Sequence, residues 1–320
     1  MRILNLLTGY KQDKLGLQAP SDAHATNIDI TNVARWFYEV DDREFFDWRA
    51  DFPSVTPPYS SVWMEASLPP NLTSRSSGRK MGPGCEWGLA ASVISMEVSP
   101  DMAKECMQTN GLIGFLNGIH GTNQRAEVSR ELLTELDNGV LVRWLVAFVF
   151  FFQRKKQVLW AGSFGLYLDE YGQVLESGAR AAIQRPGGVD ARSIESYAYP
   201  FMFALSLMHC KNVELKDASP TPSKVAAQRA KKGVPDIKFK TLVIDPMRKQ
   251  IKREKSEDGQ EASEVQRALH ICRGHFKDYR EKPLFGKFAD VYWWEPHVRG
   301  NAKNGAIVKD YKVNAPEATP

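Results

Sequence analysis

The longest apolar run in the chain is WLVAFVFFF, Trp144 to Phe152, bounded by Arg143 and Gln153. Extended back to Val140 it reaches thirteen residues, short of the ~20 that a membrane-crossing helix needs. Its Val and Phe content predicts a buried strand or core element. Just before it, ELLTELDNG (Glu131–Gly139) has the spacing of a short helix closed by an Asn-Gly turn. Residues 41–83 are dense in turn formers and aromatics, and one short strand, Ser61–Leu68, is predicted there within long loops. FGLYLDEYGQVLE (Phe164–Glu176) reads as a hairpin turning at Asp169–Gly172. YPFMFALSLMHCKN (Tyr199–Asn212) reads as a buried helix, with Pro200 at its start and Asn212 at its C-cap. In EVDDREFFDWRAD (Glu39–Asp51) acidic residues alternate with aromatics at helical spacing, which favours an amphipathic helix over a carboxylate metal site.

The pattern changes character at KDASPTPSK, Lys216 to Lys224, a Pro/Ser/Thr junction that marks a domain boundary. Beyond it come a short basic helix (SKVAAQRAKKG, ending at Gly233) and a strand over Ile237–Asp245. A charged loop or frayed helix follows over Pro246–Glu264. Further strands are predicted at Arg267–Tyr279, Ala289–Glu295 and Ala306–Val313. The fold expected is α+β: an irregular, aromatic-rich N-terminal domain over residues 1–217, and a C-terminal antiparallel β-meander with a short basic helix over residues 218–320.

Composition narrows the class. With 43% hydrophobic and 25% charged residues among 320, the chain resembles an ordinary globular protein able to bury a sizeable core. Its four cysteines, Cys85, Cys106, Cys210 and Cys272, lack the tight spacing of a metal or redox motif and read as free thiols of a reducing compartment. The N-terminus has too short an apolar start for a signal peptide, so a cytoplasmic location away from membranes is expected. No repeat at a fixed period appears, which argues against solenoids and propellers. Residues 224–312 hold 21 Lys and Arg against 12 Asp and Glu, a surplus of nine positive charges in a chain of net +4, leaving the rest at −5. Such asymmetry points to an anionic partner for the basic half, although a merely solvated Lys-rich surface gives the same count.

Three of the six histidines, His270, His275 and His297, fall between residues 270 and 300. Strand alternation puts Arg273, His275, Lys277 and Tyr279 on one face, with His270, Cys272 and Phe276 on the other. His297 and Arg299 are again two apart, so adjacent strands would let His275 and His297 meet. Two imidazoles flanked by guanidinium groups suit metal-independent cleavage of an RNA phosphodiester. One takes the proton of the 2′-hydroxyl and the other gives one to the leaving 5′-oxygen. Arg273 or Arg299 would hold the phosphate oxygens, Tyr279 would assist as a proton donor, and Lys277 and Trp294 would contact RNA, Trp294 by base stacking. Two other readings stay open beside it. One is a purely structural role for these side chains, with Trp293 or Trp294 in the core. The other is a metal site from His270, Cys272, His275 and His297, disfavoured because the first two project away from His275. His120, in the glycine-flanked NGIHGTN, reads as a solvated loop residue with a second site as its alternative.

The pattern H-x-x-R-G-H-F-x-x-Y, then L-F-G-K, then Y-W-W-x-x-H-x-R-G is carried by His270, Arg273–Phe276, Tyr279, Leu284–Lys287, Tyr292–Trp294, His297, Arg299 and Gly300. It resembles the C-terminal signature of a family of bacterial, phage and mobile-element proteins to which the resemblance attaches no activity. CKNVEL, Cys210–Leu215, resembles a further segment of it. A basic helix followed by a meander displaying His, Arg and Tyr is also similar, at the level of architecture, to the barnase–EndoU–colicin–RelE ribonucleases. That likeness implies RNA cleavage with no metal or other cofactor, and it transfers no individual residue. The expectation is therefore an endoribonuclease or RNA-binding protein. The rival is a non-enzymatic protein that binds or inhibits a host or phage protein, with the N-terminal domain offering a protein interface.

Overall fold

The structure is a computed structural model that describes residue 3 and residues 26–40, 52–70, 72, 87–121, 123, 130–154, 157–175, 180–184, 191–218, 223–231, 237–247, 249–250, 268–272, 274–295, 297–299 and 301–306. Helices and strands occur in separate runs as well as in alternation, around one large mixed sheet and a small antiparallel ladder, so the fold is α+β. The chain divides into two compact units, Met1–Ile244 and Asp245–Pro320.

The first unit runs β1 (Thr26–Asp29), α1 (Thr31–Val40), β2 (Ser61–Leu68), β3 (Trp87–Glu97), α2 (Pro100–Gln108), α3 (Gly111–His120) and α4 (Arg130–Asp137). It continues with β4 (Trp144–Arg154), β5 (Gln157–Leu168), β6 (Arg180–Gln184), α5 (Ala191–Met208), β7 (Val213–Asp217), α6 (Ser223–Lys231) and β8 (Lys240–Ile244). The eight strands form one sheet in the order β6-β5-β4-β3-β2-β1-β8-β7. From β2 to β6 every pair is antiparallel, whereas β1 lies parallel to both of its neighbours, β2 and β8. The parallel β1–β2 pair needs a crossover, and α1 supplies it.

The predicted buried run is β4, an interior strand of this sheet. Its side chains leave alternately to the two faces. Leu145 joins Ala103, Met107, Leu112 and Leu132 of α2, α3 and α4 in one buried cluster. Ala147 meets Leu116 of α3, and Val149 and Phe151 pack with Trp63 and Phe239. From the opposite face Phe150 lies 5.8 Å from Phe201 of α5, while Trp36 of α1 stacks on Phe203 at 5.2 Å. Apolar groups on both faces explain a run without alternation. Burying each such Phe stabilises the fold by ~1.5–3 kcal/mol.

Several local expectations hold, and others shift. β2 spans Ser61–Leu68 as predicted, and α4 ends before an Asn-Gly turn in which Gly139 has φ 81°. At Asp169–Gly172 the carboxylate of Asp169 accepts the N–H groups of Tyr171 and Gln173 at 2.8 and 2.9 Å. Among the described residues a short pairing closes the turn: the bridge Leu168–Val174, with the Asp169 N–H donating to the Gln173 carbonyl and the Leu175 N–H to the Tyr167 carbonyl. The ladder partner of β5 on that side is β6. The helix expected to begin at Pro200 begins at Ala191, with Pro200 in its interior. A proline there removes one helical hydrogen bond. The helix persists because Ala198, Phe201, Met202, Phe203 and Leu205 are all buried against the sheet and α1. The strand expected at Ile237–Asp245 and the basic helix lie in the first unit, since β8 pairs with β1 on one edge and β7 on the other. The division between units accordingly falls after Ile244 and not within the Lys216–Lys224 junction.

The second unit contains β9 (Ala268–Cys272), β10 (His275–Asp278), β11 (Val291–Trp294), β12 (His297–Arg299) and β13 (Asn301–Ala306). β10 and β11 form an antiparallel pair, and β9 lies between antiparallel β12 and parallel β13. The single strand predicted over Arg267–Tyr279 is thus two, and the last strand begins at Asn301. Met247, Tyr279 and Tyr292 form this unit's described core, with Leu284, Phe288 and Trp294 packed against them. The helix predicted at Glu39–Asp51 beyond Val40, most of the charged segment 246–264, and the strand positions beyond Ala306 lie outside the described residues. Among the described residues no helix is long and apolar enough to cross a membrane.

Candidate functional site

The β10–β11 ladder sets most of the predicted site residues in register. His275 pairs with Trp294, Phe276 with Trp293, Lys277 with Tyr292 and Asp278 with Val291. His275 and Lys277 share a face, as alternation predicts, and because directly paired residues share a face the register sets Trp294 and Tyr292 beside them. The exposed His275 ring lies parallel to the Trp294 indole, with centroids 6.4 Å apart and 5° between planes. Lys277 is exposed, and its ammonium stands 5.9 Å from the centre of the Tyr279 ring, within cation–π reach.

Tyr279 takes a different place from the one its chemistry suggests. It is 8% exposed and belongs to the core with Met247 and Tyr292. Burial pushes its phenol up, opposed by the Trp294 indole, so the hydroxyl stays protonated at neutral pH. Its ring lies within cation–π reach of Lys277 while the residue as a whole is buried. Trp294 is half-buried, while Trp293 is 2% exposed and rests on Phe276 with centroids 4.7 Å apart. Of the two indoles, the one expected in the core is therefore Trp293.

His275 and His297, expected to act as an acid–base pair, are not cross-strand partners. The Cα partner of His297 is Cys272, and that of Arg299 is His270. The ladder is interrupted between the Cys272–His297 and His275–Trp294 pairs, where Gly274 and Glu295 stand outside the strands. The side chains of His297 and Arg299, and Arg273 altogether, lie outside the described residues.

Two charged features escape a reading by residue type. Arg280 grips Asp278 through Nε at 3.0 Å to both carboxylate oxygens and through Nη2 at 2.6 Å. Those hydrogen bonds hold the Asp278 carboxyl below its ordinary value. The i, i+2 spacing of an acid and a base at the end of β10 was the available signal. Glu295 is half-buried at the ladder's interruption. Burial pushes its carboxyl up, Asp245 adds to the effect and Lys249 opposes it. Nothing local to WWEPH announces that, because the burial and both charges come from elsewhere in the chain.

His120 is not in a loop. It ends α3, with its Nε2 2.6 Å from Ser163 Oγ and its ring 5.0 Å from Trp160, and burial pushes its imidazole down. Ser163 is 0% exposed on β5, so this pair satisfies a buried hydroxyl and presents no nucleophile to solvent. Cys106 and Cys210 are free thiols, and burial pushes Cys106 up. Among the described residues no group of three His, Cys, Asp or Glu side chains is arranged to hold a metal ion. No family model, curated protein or solved structure matches the chain.

Proposed function

We propose that the C-terminal unit binds RNA along the β10–β11 ladder and cuts it without a metal, His275 acting with His297 of β12. The observation that carries this reading is the exposed imidazole of His275 lying over Trp294, next to the exposed ammonium of Lys277 on the same face. A phosphate beside Lys277 leaves the adjacent base within reach of the aromatic pair, the combination that single-stranded nucleic acid requires. One imidazole takes the proton of the 2′-hydroxyl, and the oxygen attacks phosphorus. The bond to the 5′-oxygen breaks as the second imidazole donates its proton, leaving a cyclic phosphate and a 5′-hydroxyl. Arg273 and Arg299 neutralise the charge that builds on the phosphoryl oxygens. Tyr279 supports Lys277 in this scheme.

The test is incubation of labelled RNA in EDTA with the wild type, His275→Ala and His297→Ala. Cleavage that survives EDTA and falls at least ~100-fold in each variant is expected for a lost acid or base. Binding should weaken steeply as salt rises. A wild-type protein that neither cuts RNA nor binds it in a salt-dependent way rules this function out and favours the protein-binding alternative.

A further inference from the structure

In the second unit the chain between β10 and β11 doubles back at Pro-Leu-Phe-Gly-Lys, residues 283–287. Leu284 bridges Phe288, the Lys287 N–H donates to the Leu284 carbonyl at 3.2 Å, and the two residues between both have positive φ, 55° at Phe285 and 70° at Gly286. This is the pattern of a type I′ turn, whose first central position suits Asn, Asp or Gly because a Cβ crowds the backbone there. A bulky aromatic in that position is a genuine outlier. Its neighbours enforce it. Leu284 and Phe288 pack into the core against Tyr279 and Tyr292, with Phe288 and Tyr292 rings 5.8 Å apart and perpendicular. Anchored on both sides, the turn projects Phe285 outward, 63% exposed, with exposed Lys282 and Lys287 close to it in sequence.

A residue that destabilises its own turn and buries little of its ring contributes nothing to folding that Asn would not contribute better. Strain of this kind, held in place by surrounding packing, is the mark of a recognition element. We infer that Phe285 is a stacking contact for an unpaired RNA base, with the ammonium groups of Lys282 and Lys287 taking the flanking phosphates. This rests on the RNA-binding reading and adds to it a second contact, at the turn end of the ladder whose open end carries His275. The lysines are what favour nucleic acid over a protein partner for the ring, since a base always arrives with phosphates.

The experiment measures binding of 2′-O-methyl RNA of mixed sequence, which lacks the free hydroxyl needed for cleavage, to the full chain and to Phe285→Asn and Phe285→Tyr. Denaturant midpoints are recorded on the same samples. Phe285→Asn should unfold at a higher midpoint than the wild type and yet bind about 5- to 150-fold more weakly. Phe285→Tyr should keep wild-type affinity. If the wild type binds RNA and Phe285→Asn binds equally well, the ring serves another partner and the inference fails while the function stands. If the wild type binds no RNA at all, both fall together.

Discussion

Glu295 shows how one side chain registers its surroundings. Its carboxyl is held above the usual value by burial, so the folded state binds that proton more tightly than the unfolded chain does. The stabilising contribution is therefore complete below the ordinary glutamate value of about 4.3 and disappears as pH rises through the higher folded value. Glu295→Gln fixes the neutral form. Urea unfolding should find the variant more stable than the wild type at pH 7, with the two midpoints converging as pH is lowered toward 4. A constant gap at every pH would mean that packing, and not charge, sets the difference. The face shared by His275 and Lys277 was legible from alternation alone. The burial of Tyr279 was not, because Met247, Leu284 and Phe288 create it from other parts of the chain.

Among elements, those specified by their own residues matched their sequence patterns most closely. β2, β4 and α4 carry their apolar pattern, length and stop signals within a dozen positions. α5 starts earlier than Pro200 implies, because five buried side chains beyond the helix start outweigh one lost hydrogen bond. β8 has an unambiguous strand pattern, but nothing in five residues says that its partners are β1 and β7. β4 dominates the sheet since both its faces are covered. Phe150→Ala removes a 0% exposed ring lying among Phe148, Tyr197 and Phe201. It should lower unfolding free energy by ~3–5 kcal/mol, measured by denaturant titration. A loss under ~1 kcal/mol would show that ring to be replaceable.

At the scale of the molecule, the placement of β8 decides where the chain can be cut. A fragment of residues 1–244 keeps the eight-stranded sheet whole and should unfold in one cooperative step by circular dichroism. A fragment of residues 1–217 removes β8 from between β1 and β7, leaving β1 with an open edge and β7 without a partner. It should be insoluble or lack a cooperative transition. Equal behaviour of the two fragments would contradict the sheet order. The same placement bears on synthesis. Thr241 Oγ1 donates to the carbonyl of Asp29 across 212 positions of sequence, so β1 is translated long before the strand that covers it. At 5–20 residues per second that interval is roughly 10–40 s. Throughout it the nascent chain displays an unpaired parallel edge, a template for joining other chains. Substitutions that weaken β8 should therefore lower the yield of soluble protein from the cell more than they lower the stability of the molecules that do mature.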